Sequence, residues 1–87
     1  MPEISRFFGI VVAMYYAEHE PVPHFHVRYG SQKARIAIDD LRVLDGDLSP
    51  RVRGLVVEWA SLHQDELRKD WELARSRLPL ISIKPLD

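Results

Sequence analysis

Residues 24–38 read HFHVRYGSQKARIAI. Phe25, Val27 and Tyr29 alternate with His24, His26 and Arg28, and beyond Gly30-Ser31 a second run sets Ala34, Ile36 and Ile38 against Lys33, Arg35 and Ala37. A period of two is that of a strand with one face buried and one face open. A two-residue Gly-Ser connection is a hairpin turn. The stretch therefore predicts an antiparallel hairpin that is apolar on one side and carries imidazole and cationic groups on the other.

Upstream, Phe7 to Tyr16 are mostly aromatic, β-branched or small, show no helical period, and lead toward the proline-rich stretch EPVP at 20–23. They predict a buried first strand. Downstream, LRVLDGD at 41–47 predicts a short fourth strand through Val43 and Leu44, ended by an Asp45-Gly46 turn. Ser49 before Pro50 is a helix start, because the serine can cap and proline at the first helical position has no N–H to leave unpaired. Val52, Leu55, Val56, Trp59, Leu62, His63, Leu67, Trp71, Ala74 and Leu78 recur at three- and four-residue intervals until Pro79. That stripe predicts one long helix over 50–77, or two abutting ones, with room for a bend near Gln64. The ending PLISIKPLD, residues 79–87, suits a short extended segment docked at a sheet edge. The expected fold is α+β: an antiparallel three- to four-stranded sheet packed on one long C-terminal helix, with Trp59 and Trp71 on Phe25, Val27, Ile36 and Ile38.

Eighty-seven residues form one domain, 1–87. Hydrophobic residues at 46% and charged ones at 29% exclude a disordered chain. A formal net charge of −1 gives no global field toward nucleic acid or anionic lipid, so any such contact needs a local patch. The absence of cysteine rules out disulfides, thiolate metal sites and a cysteine nucleophile, and is compatible with the cytoplasm. The apolar run near the N-terminus reads as a strand rather than a leader or membrane segment, with acidic Glu3 early and no small-residue cleavage site after it.

The segments MPEISRFFGI (1–10), HEPVPHFHVRYG (19–30) and VVEWASLHQDEL (56–67) resemble the small bacterial family called domain of unknown function 4160. The resemblance runs over nearly the whole chain, and the histidine segment is its specific part. One departure is Pro21-Val22-Pro23, where the family has adjacent prolines, so the loop is longer by one residue. The family's genes often sit beside those of another small family, numbered 2442, in a layout similar to toxin-antitoxin pairs. The resemblance thus implies a small cognate protein partner. It implies no reaction.

His24 and His26 are two residues apart, so on a strand their rings point the same way with β-carbons about 7 Å apart. With His19 as a third ligand they make a candidate, incomplete zinc site. His-x-His alone does not specify a metal, and imidazoles on an open sheet face also simply meet water or neighbours. A second reading takes the face as a whole. Arg28 beside the histidines, and Lys33 and Arg35 across the hairpin, form a basic surface with Tyr15 or Tyr16 nearby. In a metal-independent ribonuclease, His24 and His26 would exchange the protons of transphosphorylation while Arg28 stabilised the phosphorane charge. The plain counterpart is a solvated face whose charges keep a strand edge soluble.

His63 sits on the apolar stripe and reads as a satisfied rim histidine, with Glu58 or Glu66 as neighbours. Phosphate-loop, dinucleotide and nucleophile-elbow motifs are absent. Asp39, Asp40, Asp45 and Asp47 lack EF-hand spacing and read as turn and capping residues. The helix's remaining face mixes both charge signs, as a solvated face does. The leading expectation is an interaction module of a two-gene pair, binding its partner by a sheet edge or the C-terminal segment. A ribonuclease comes second and a zinc-binding domain third; RNA is a possible ligand, a homo-oligomer a possible assembly.

Overall fold

The computed structural model describes residues 2–16 and 21–87. One antiparallel sheet takes its strands in chain order: β1 (Glu3–Phe7), β2 (Ile10–Ala13), β3 (His24–Tyr29), β4 (Gln32–Ala37) and β5 (Val43–Asp47). Two helices follow, α1 (Pro50–Leu62) and α2 (Gln64–Arg75). The α+β class is as expected, but the sheet has five strands where three or four were expected.

The extra strand is β1, which runs up to the start of the Phe7–Tyr16 stretch expected as the first strand, with β2 inside that stretch. Phe8 (φ 50°) and Gly9 (φ 79°) both adopt positive φ, which is the signature of a type I′ hairpin turn, and Phe7 pairs with Ile10 across it. A phenylalanine rarely takes this conformation, so the turn carries no obvious sequence flag. The central hairpin is as predicted, with Gly30 (φ 57°) at its turn and Tyr29 opposite Gln32.

β5 also departs from expectation, because Asp45-Gly46 lies inside the strand rather than ending it. A β-carbon on Gly46 would sit 2.2 Å from the Lys33 carbonyl oxygen, and its φ of 88° disfavours any other residue. Glycine here lets β5 approach β4 closely, with a register shift between Arg35 and Ile36.

Ser49 caps α1 by accepting from the Val52 N–H, with Pro50 in the first turn. The helical stripe breaks at His63 (φ −131°), one residue before Gln64, so two helices stand where the expected fold had one long helix. Beyond the break, Gln64 Nε2 donates to the Ile38 carbonyl at 2.8 Å and Arg68 pairs with Asp39, tying α2 to the end of β4. Trp59 is fully buried, its ring 5.4 Å from Phe7 and 6.1 Å from Phe25. Around it lie Ile10, Val12, Val27, Ile36, Val56 and Leu67, an apolar layer between sheet and helices.

The C-terminal segment docks as an extended stretch without strand pairing. The Ile83 N–H donates to the Ile4 carbonyl, Trp59 Nε1 donates to the Lys84 carbonyl, and the Ile81 N–H donates to Asp70 Oδ1, each at 2.8 Å. Asp70 is fully buried, and its Oδ2 has no hydrogen-bond partner among the described residues. Burial raises its pKa, partly opposed by the Ile81 N–H, while Glu66 adds a smaller push upward.

Candidate binding groove on the open sheet face

The strand registers place two cross-sheet rows on the face opposite α1. One row runs Glu3, Ala13, His26, Arg35, Asp45; the other runs Arg6, Val11, Arg28, Lys33, Asp47. Ala13, His26, Arg35 and Asp45 of the first row and Val11, Arg28 and Lys33 of the second line, with Tyr15, a groove of about 560 Å³. Its floor includes Val11 and Ala13, which are buried, and its sides carry Tyr15, His26, Arg28, Lys33, Arg35 and Asp45. The volume suits a short segment of chain or a small ligand.

The two histidines of β3 part company here. His26 is half-buried, lines the groove, and meets the Tyr15 ring at 4.3 Å edge to face. His24 is fully buried: its ring lies 5.2 Å from His26 and 5.1 Å from Trp71, with Nδ1 2.9 Å from the Val22 carbonyl. A carbonyl oxygen only accepts, so Nδ1 carries the hydrogen of this contact. The expectation that both imidazoles stand open on the face is therefore corrected. Strand alternation does point them the same way, but Trp71 on α2 covers the first of them.

Charge on the groove is arranged unevenly. Arg35 Nη2 and Nε lie 2.7 and 3.0 Å from Asp45 Oδ2. That hydrogen bond is the main cause of a lowered Asp45 pKa, against some desolvation, with smaller pulls from the charges of Arg35, His26 and His24. Arg6 likewise pairs with Glu3 at 2.7 Å and lowers its pKa, with a lesser contribution from Arg28. Arg28 and Lys33 are direct cross-strand neighbours on this face.

Of the residues singled out from sequence, Tyr15, His26, Arg28, Lys33 and Arg35 meet at one groove. His24 stands behind it. His19 lies outside the described residues, so the three-histidine zinc set is represented here by His24 and His26 alone, and among the described residues no group of three metal-ligating side chains gathers. His63 is a rim residue as expected, its Nδ1 2.6 Å from Glu66 Oε1 and its ring against Trp59. Sequence reading missed Asp45 as a groove residue because Asp-Gly suggested a turn, and it missed Val11 and Ala13 as the floor. The signal for Asp45 lay in its spacing from Arg35 across the β4–β5 connection.

The family described as Domain of unknown function (DUF4160) matches residues 9–72. The chain belongs to that family. The DUF4160 match takes in every groove residue named above, from Val11 to Asp45, together with Trp71 behind His24, and leaves β1 and the C-terminal segment outside it. No curated protein and no solved structure matches the chain. Among the described residues, no helix is long and apolar enough to cross a membrane.

Proposed function

We propose that this DUF4160 protein is a small bacterial interaction module, one member of a two-gene pair of toxin-antitoxin type, which receives a segment of its partner protein in the open-face groove. The observation that supports this reading is the groove itself: an apolar floor with polar and charged walls drawn from β2, β3, β4 and β5. Protein recognition sites combine these features, with a desolvated centre and a polar rim. Of the two routes expected from sequence, a sheet edge and the C-terminal segment, the segment is already hydrogen-bonded to β1, α1 and α2 of its own chain. We place the pair in the cytoplasm, in keeping with a cysteine-free chain.

The test is co-expression with the product of the neighbouring 2442-type gene. Co-purification of the pair, lost when Ala13→Arg fills the groove of a still-folded protein, is the expected result. Failure of the two to co-purify removes the reading.

A metal-independent ribonuclease is the second reading, favoured by the placing of His26 in the same groove as Arg28 and Lys33. Since His24 is buried behind it, His26 would be the one imidazole of that pair lining the groove. Cleavage of RNA by the purified protein, abolished in folded His26→Ala, would establish it; cleavage unchanged in that variant would remove it.

A further inference from the structure

Four cations stand on the strands' open face, and two of them are neutralised nearby: Arg6 by Glu3 and Arg35 by Asp45. Arg28 and Lys33 differ. They sit directly opposite each other on adjacent strands, and neither forms an ion pair among the described residues. Asp47 is in register with Lys33 on the next strand, yet no ion pair joins them. Like charges directly opposed on a sheet disfavour the fold, whereas an anion between them turns the repulsion into a two-pronged attraction.

We infer that Arg28 and Lys33 form the seat for a carboxylate of an acidic, partly apolar peptide segment, whose neighbouring apolar side chain lies on Val11 and Ala13. The inference rests on the partner-binding reading of the groove and adds the chemistry of the partner. Charge complementarity calls for an anion at this end of the groove. Val11 and Ala13, which line the groove beside it, suit an apolar group within a residue or two along an extended chain. Single-stranded nucleic acid is the weaker fit: it needs aromatic faces for its bases, and among the described lining residues the Tyr15 and His26 rings are packed against each other.

The experiment is a titration of the isotope-labelled protein, followed by NMR, with three probes: the capped hexapeptide acetyl-(Glu-Val)3-amide, its glutamine counterpart acetyl-(Gln-Val)3-amide, and hexauridylate. The expected result is that the glutamate peptide shifts the amides of Val11, Arg28 and Lys33 while the glutamine peptide does not. Arg28→Gln and Lys33→Gln should each weaken that binding about fivefold, the upper end for an exposed ion pair. No shift at these amides, or equal shifts with both peptides, overturns the inference. Hexauridylate binding more tightly than the glutamate peptide also overturns it, in favour of nucleic acid. Because the probes are free of the natural partner, failure of the co-purification experiment removes the partner-binding reading without deciding this result, and the two can be told apart.

Discussion

The two faces of the sheet are built from the same strands and hold opposite chemistry. On β3 alone, Phe25 and Val27 are sealed under α1, while His26 and Arg28, the residues between and after them, stand on the groove. The covered face is continuous and apolar, closed by Trp59. The open face keeps cations, an imidazole and a phenol over a floor of small and β-branched side chains. A protein of this size needs one face for its core. The other face is free to specialise, so substitutions on the two faces should separate into losses of folding and losses of binding.

The largest effect belongs to the covered face. Trp59→Ala removes the ring that touches Phe7 and Phe25 together with its N–H bond to the Lys84 carbonyl, and should cost about 3–5 kcal/mol in urea unfolding. A loss below about 1 kcal/mol would erase the contrast. The next comparison lies within one strand. His24→Ala opens a cavity between His26 and Trp71 and should cost about 2–3 kcal/mol, while His26→Ala should cost less than about 1 kcal/mol. Equal losses would mean that the two rings share one environment.

A smaller effect concerns Asp70, a fully buried carboxylate on the helix side. Burial raises the pKa of Asp70 in the folded state, so its contribution to stability is fully present below the unfolded value of about 3.9 and is lost as pH rises through the folded value. Asp70→Asn, which keeps an acceptor for the Ile81 N–H, removes that dependence. Denaturation at a series of pH values should show the variant gaining on the wild type as pH rises to 7, with the gap closing below about pH 4. The smallest change is Arg28→Gln on the open face, expected to shift stability by less than about 0.5 kcal/mol, because the arginine makes no ion pair among the described residues.

Much of this contrast could be read from alternation and capping. The period-two pattern from His24 to Ile38 fixed the central hairpin and grouped His26, Arg28, Lys33 and Arg35 on one side, and Ser49-Pro50 marked the start of α1. The rest depended on physics that local pattern does not carry. Phe8 takes a left-handed conformation in the first turn, so a strand pair looked like one strand. Gly46 continues β5 because only hydrogen fits against Lys33, although Asp-Gly most often signals a turn. His24 obeys the alternation rule, but a strand pattern gives the direction of a side chain and not what covers it; Trp71, 47 positions along the chain, does that. The groove was legible as a set of residues, and its apolar floor and its Asp45 wall required the sheet's full register.

The central claim is that the partner occupies the open face, and the chain's three lysines report on it separately: Lys33 lies in the groove, Lys69 on α2 and Lys84 in the C-terminal segment. Acetylation of the free protein and of its complex, read residue by residue by mass spectrometry, is the most direct measurement. The account predicts that partner binding slows modification of Lys33 and leaves Lys69 and Lys84 unchanged. Slowing at Lys84 or Lys69 with Lys33 unchanged would put the partner on the tail or the helix and contradict it.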